Sequence, residues 1–427
     1  MHLQDLWSIF HPAAELFGNL RDDPPYAPHC PINLPLSCQN HSTIPDSCCF
    51  EHPGGIFLQT QFWDYDPSAP DLNRDQLERE LGPLDSFTIH GLWPDNCAGG
   101  YEQFCDPSST IRDVSTLLKS EQFNSDEHGL EYSGEELLEI LSRYWKGIRG
   151  NDEPLWIHEF NKHGTCIKTI KPNCYSRWED SNTKVKTIDF HKQAVYDYFR
   201  VAYNLYKKLN TSEILAAKGI VPSTKKVYTR QEIEKALNEG FHGLQVHLVC
   251  DRNQAINEVW YYHVLKGSLL GQQFVPIPAV GARHSNCPET GVKFLPKGYH
   301  VPSRRPLLTG FVKLSGQSGF LVKNGHWMTK GTPATFSLLD NPFGDYYLRS
   351  RNGLCGFNND GALQCNRGSQ GAAQFGYDEA SGGYLTYAGS PQWNADSRPQ
   401  GMRQAPIYHG DSGAIVFKLK FEKRRQY

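Results

Sequence analysis

The residues best equipped for chemistry stand in the stretch Trp156-Ile157-His158-Glu159-Phe160-Asn161-Lys162-His163-Gly164-Thr165-Cys166. Two imidazoles, a carboxylate and an ammonium fall within six consecutive positions. On a helix, Glu159 and His163 lie at i and i+4 and share a face, and His158 and Lys162 form a second such pair beside them. A base, a carboxylate and a cation then point toward one small volume, which suits proton transfer next to a stabilised anion. The plainer alternative for such a pair taken alone is the wet side of an amphipathic helix. His158-Glu159 also opens like a zinc-protease H-E-x-x-H, but the second histidine comes at i+5. At 3.6 residues per turn the two rings diverge by about 140° and cannot face one metal.

A second stretch, Phe87-Thr88-Ile89-His90-Gly91-Leu92-Trp93-Pro94, reads as a short apolar strand broken at Gly91 and Pro94. His90 is then expected at a strand end, presented to a cleft. One histidine on a strand and another on a helix can supply acid and base without a metal.

Together, I-H-G-L-W-P and W-I-H-E-F-N-K-H-G-T-C closely resemble the two signature segments of the ribonuclease T2 family of acid endoribonucleases. The resemblance covers roughly residues 27–296 and leaves the last third of the chain outside it. It implies metal-independent cleavage of single-stranded RNA to 2′,3′-cyclic phosphate ends, with no cofactor and low base specificity. In that reading His163 is the general base and His90 the general acid. Lys162 and Glu159 serve the transition state, and His158 contacts phosphate. Trp93 and Tyr101 are implied to sandwich a base, with Asp95 accepting from an exocyclic amine and Gln61 a possible second-base contact.

The elements that must position these groups are legible in part. Residues 55–63 and 86–90 read as strands. Ser133-Gly134-Glu135-Glu136 is a capping box opening an amphipathic helix that ends by Gly147 or Gly150. Residues 190–209 form a longer helix with Val195, Tyr198, Phe199, Ala202 and Leu205 on its buried side. Thr229-Arg230-Gln231-Glu232 is a second capping box, whose helix stops at Gly240. Residues 244–250 and 256–264 read as strands flanking a turn at 251–253, and their near-continuous apolar character places them in the middle of a sheet. The fold class expected is α+β: an antiparallel sheet with packed helices, as in ribonuclease T2, followed by a smaller all-β C-terminal domain.

The domain division expected is a poorly ordered leader at 1–27, a catalytic domain at 28–296, a linker at 297–307 and a Gly-rich all-β domain at 308–427. That last part holds 18 of the 38 glycines and short alternating segments such as Phe311-Val312-Lys313-Leu314, which suggest a small barrel or sandwich. Similar extensions occur in some fungal members of the family. Gly410-Asp411-Ser412-Gly413 matches a serine-protease tetrapeptide, but no upstream A-A-H-C-like segment supplies a base, so a polar turn is expected.

Twelve cysteines without zinc spacing point to disulfides and an oxidising compartment, hence a secreted or vacuolar/lysosomal protein. The adjacent Cys48 and Cys49 are expected to reach two distant segments, since a vicinal bridge is strained. The family resemblance implies the pairs Cys30–Cys49, Cys38–Cys97, Cys48–Cys174, Cys105–Cys166 and Cys250–Cys287. Cys355 and Cys365 remain to close a small loop. Asn40-His41-Ser42 and Asn210-Thr211-Ser212 are glycosylation sequons. Leu6 to Phe10 is too short an apolar run for a secretory signal, so the expectation is that either Met1 is not the true start or a signal segment is missing. No apolar run is long enough to span a membrane.

The net charge of −3 argues against tight, sequence-independent RNA binding and for brief local contact, made easier at acid pH as the 17 histidines charge. A monomer is expected. Two rival readings are a binding relative with a dead site, and a bifunctional protein whose last domain contacts carbohydrate or cell wall. Intact His90, Glu159 and His163 oppose the first, while Trp327, Trp393 and exposed tyrosines permit the second, though no motif demands it.

Overall fold

The computed structural model describes residues 26–424, except 40–45, 125–129, 148–149, 176–187, 252, 281–284, 301–307, 341–345, 359, 367–372 and 380–381. The first sequon, most of the leader and the Pro302–Pro306 part of the linker lie outside the described residues.

An antiparallel sheet carries the first domain. Its strands run in the order Thr88–Asp95, Ile56–Phe62, Ile256–Leu265, His247–Cys250, and Phe274–Ile277 pairs farther along Ile256–Leu265. Helix Phe190–Lys207 packs on this sheet, burying Val195, Tyr198, Phe199, Ala202 and Leu205 as its sequence period predicts. Two of its tyrosines hold the histidine strand directly. Tyr198 OH donates to Leu92 O at 3.1 Å and Tyr206 OH to Phe87 O at 2.7 Å. Both capping boxes form, at Ser133/Glu136 and Thr229/Glu232, opening helices Gly134–Tyr144 and Arg230–Gly240.

One expectation about the histidine strand is corrected. The strand does not break at Gly91 and Pro94 but runs on to Asp95, paired with Ile56–Phe62 throughout. Pro94 is tolerated because this is the sheet's edge strand, where its missing N–H breaks no ladder. His90 therefore lies within the strand, at a β-bulge: Gln61 pairs with Ile89 and Thr60 with Gly91, leaving His90 as the extra residue. A bulge re-aims a side chain. Here Ile89 and Leu92 point into the core while His90 and Trp93 both face the cleft.

All six disulfides pair as the resemblance and the leftover cysteines implied, and none of the described cysteines is free. Cys48 and Cys49 do reach separate partners, Cys174 and Cys30.

The last part of the chain is all-β and closes on itself. The strands Leu308–Ser315, Thr335–Asp340, Tyr346–Ser350, Gln374–Asp378, Tyr384–Thr386 and Ile415–Lys423 pair in that order, and the last returns to the first from Lys418↔Ser315 to Lys423↔Gly310. Closure removes the open edges that would otherwise invite association. The expectation that Trp327 and Trp393 could offer a carbohydrate platform is corrected. Both indoles are fully buried in the barrel core, with Nε1 donated to Ser318 O and Leu385 O. Asp411 to Gly413 form the expected turn before the final strand.

Candidate active site

Helix Asp152–Lys162 carries most of the polar groups. Its first turn is fixed by a buried ion pair from Lys146 Nζ to Asp152 Oδ2, 2.5 Å, and by Gly147 N donating to Asp152 Oδ1. Its far end is held by Asn161, which exchanges two hydrogen bonds with the Ile111 backbone. His163 is the C-terminal cap, one residue past the helix, and its N–H still bonds Glu159 O at 3.0 Å. The i, i+4 relation read from the sequence survives on this last turn.

The Trp93 indole is the hub of the site. His163 stacks on it with ring centroids 5.1 Å apart, and His90 meets it edge-on at 4.6 Å. Its Nε1 donates to Glu159 Oε2 at 2.8 Å. His90 is also stacked on Phe62 at 4.0 Å, and its Nε2 stands 3.7 Å from Glu159 Oε1. The two histidines from distant segments thus flank one aromatic ring and one carboxylate. Gly91 is a fixed requirement of this arrangement, since a methyl group there would overlap Glu159 Oε2 and Trp93 Nε1.

Burial sets the electrostatics of the groups on the helix and its cap. Burial, aided by the nearby charge of Lys162 and by His158 and His90, holds His163 well below the ordinary histidine range. Burial and Lys162 do the same for His158. Burial pushes the Glu159 carboxyl up, opposed by His90, Lys162 and the Trp93 hydrogen bond. A lowered histidine pKa keeps the ring neutral, and so able to accept a proton, further into the acid range.

The chain segment 101–105 covers one flank. Phe104 N donates to Lys162 O at 3.0 Å, Cys105 N to Thr165 Oγ1 at 3.1 Å, and Cys105 is bridged to Cys166. Lys162 Nζ lies 6.0 Å from the centre of the half-exposed Tyr101 ring, and Phe104 meets His158 edge-on at 6.2 Å.

These two histidine segments and their spacing match a known family. The sequence profile of the Ribonuclease T2 family matches residues 54–279, and that of the RNase T2-like C-terminal domain matches residues 307–422. The chain belongs to the ribonuclease T2 family. It is 51% identical over 417 residues to the "Ribonuclease T2-like" protein of Saccharomyces cerevisiae, covering 93% of this chain and 94% of that one. The Kluyveromyces lactis protein of the same description is 51% identical over 404 residues, 92% of each chain. Among solved structures, the T2 ribonuclease actibind is 36% identical with a TM-score of 0.50, covering 63% of this chain and 98% of that one. The matched relatives extend over both domains, whereas actibind matches the first two-thirds. The protein is therefore a T2-family endoribonuclease with the family's fold and a C-terminal barrel.

Of the residues singled out in the sequence, His90, Trp93, Glu159, Lys162 and His163 gather as expected, and His158 stands beside them. Asp95 ends the histidine strand and bridges to Tyr101 across a turn closed by Asn96 N to Gly100 O. Gln61 is placed elsewhere. It is fully buried, donating to Leu209 O and Gln59 Oε1 and accepting from Thr211 Oγ1, so its amide is committed inside the fold. Glu258, which sequence reasoning did not select, faces His90 Nδ1 at 3.5 Å. The available signal was a carboxylate inside the otherwise apolar run Ile256–Leu265.

Proposed function

We propose that this endoribonuclease cleaves single-stranded RNA by transphosphorylation, without a metal. His163, held neutral by its burial, takes the proton from the 2′-hydroxyl. The 2′-oxygen attacks the adjacent phosphorus, and the bond to the 5′-oxygen of the next nucleotide breaks. His90 protonates that leaving oxygen, and the product is a 2′,3′-cyclic phosphate with a free 5′-hydroxyl. Lys162, with Glu159 and His158 beside it, stabilises the charge that builds on the phosphate oxygens. The nucleophile belongs to the substrate, so the scheme needs no activated water.

The observation that carries this reading is the placement of His90 and His163 against the same Trp93 indole, with Glu159 bonded to it. Trp93 and Tyr101 offer aromatic surface for a base and Asp95 offers acceptor oxygens, which favours loose base recognition. The six disulfides favour work in an oxidising compartment, outside the cell or in a vacuole. RNA digestion should survive excess EDTA and DNA should resist, because it lacks the 2′-hydroxyl. Activity abolished by EDTA and restored by zinc would contradict the scheme.

The proposed division leaves turnover with the first domain. Lys297 belongs to that domain: its Nζ donates to Leu81 O and lies 5.2 Å from the Trp63 ring centre. A truncation that keeps the fold should therefore end after His300, whose ring approaches Asp66 and Pro67. From the barrel, Gly389 sits against Gln103 and Phe104, but segment 101–105 is held to the catalytic helix by its own bonds. The truncated protein is expected to retain dinucleotide cleavage. Loss of that activity in a folded truncation would mean that the barrel shapes the site.

A further inference from the structure

We propose that Glu258 is the positioning residue for His90: its carboxylate holds Nδ1 toward the sheet, so that Nε2 faces the cleft. The inference rests on His90 acting as the general acid and adds the group that orients and charges it.

Glu258 lies on strand Ile256–Leu265, two strands away from His90, and is paired across the sheet with Phe62. Phe62 in turn stacks on the His90 ring, so strand and ring form one layered unit. The carboxylate is 6% exposed, and Oε2 stands 3.5 Å from His90 Nδ1, within ion-pair range. Two N–H donors fix its own orientation: Trp260 Nε1 bonds Oε2 at 2.5 Å and Asn257 Nδ2 reaches Oε1 at 3.3 Å. A carboxylate in the middle of a sheet is costly unless it answers a partner. The Trp260 hydrogen bond alone would explain a polar acceptor there, but not why its charge is turned toward the site.

The consequence is an imidazole between two carboxylates, Glu159 on the Nε2 side and Glu258 on the Nδ1 side. Among the described residues, His158 and His163, from helix Asp152–Lys162 and its cap, also act electrostatically on the ring. Glu258 places its carboxylate on the Nδ1 side of the ring, opposite Glu159. An acid must begin each turnover protonated, and a carboxylate placed beside Nδ1 is the arrangement that favours a protonated ring. An Nδ1–H turned toward Glu258 leaves the Nε2 proton for the leaving oxygen. This is the role of a histidine's carboxylate partner in other acid–base pairs.

The test uses the full chain with Glu258→Gln and Glu258→Asp. The His90 resonance is identified by its loss in His90→Ala and titrated by NMR in the free protein. The pH profile of kcat/KM is measured on a dinucleotide. Removing the negative charge should lower the His90 midpoint by about one pH unit or more, as expected for an opposite charge at this range. The alkaline limb of the profile should move down by the same amount, with kcat falling more than KM rises. Glu258→Asp should restore part of both shifts. If Glu258→Gln folds, as judged by circular dichroism, and both midpoints stay put, Glu258 is a structural acceptor and the proposal is overturned. If Glu258→Gln fails to fold, Glu258→Asp carries the test, and unchanged midpoints there overturn it equally. An active His90→Ala enzyme would instead remove the acid assignment itself, a separate failure.

Discussion

Replacing His163 or His90 with alanine should each lower kcat/KM on a dinucleotide by at least about 10²-fold, with the fold intact. His163 rests on the cap of the catalytic helix, where its backbone N–H is already bonded to Glu159 O. Its ring is 4% exposed and stacks on Trp93. Truncating it removes the buried base that stacks on Trp93, and neither His158 nor Lys162 makes that contact. His90 is the opposite case, a ring flanked by two carboxylates. Its loss leaves the leaving oxygen without a donor. Because the two act in one step, the double variant should be little worse than the poorer single one. Near-normal turnover in either single variant, folded by circular dichroism, would remove that histidine from the mechanism.

A substitution with no chemistry of its own should be almost as damaging. Gly91→Ala adds one methyl group at the point where the Trp93–Glu159 hydrogen bond passes over the bulged strand. The methyl overlaps both bonded atoms. Glu159 is 1% exposed and Trp93 is wedged among His90, His163 and Trp260, so neither can step aside freely. The pair must separate, which displaces the surface on which both histidines rest. A displacement of about 1 Å in such a site can cost on the order of 10²-fold in rate, and overpacking a tight interior typically costs about 1–3 kcal/mol in stability. Gly219→Ala, at an open surface turn with positive φ, is the control and should leave activity unchanged. Full activity in Gly91→Ala would mean that the Trp93–Glu159 bond is dispensable.

Helix Asp152–Lys162 was legible because its polar groups are local: Glu159 and His163 are one turn apart, and a helix keeps such neighbours together. The two capping boxes were visible for the same reason. The bulge at His90 was not. It depends on the register of Gln61 and Thr60 against a strand in another part of the chain, and Gly91 with Pro94 looked like a stop signal. Only the edge position of that strand makes Pro94 acceptable. Gln61 reads as a possible second-base contact, but strand alternation turns it away from the face of Phe62 and toward Leu209 and Thr211. Trp327 and Trp393 looked available for sugars because composition cannot distinguish a barrel core from a barrel surface. Glu258 was hidden most deeply, since its partner is fixed by sheet order alone. The disulfide pairs came from family likeness and could not have come from spacing.

Metal-free transfer between two histidines is tested most directly by following a dinucleotide by phosphorus NMR in excess EDTA across about pH 3 to 8. The expected result is a 2′,3′-cyclic phosphate as the first product and an acid-side optimum. Burial holds His163 well below the usual value near 6.5, so the rising limb of kcat/KM should lie below that pH. A direct 3′-phosphate or 5′-phosphate product with no cyclic intermediate, or activity that EDTA abolishes, would contradict it.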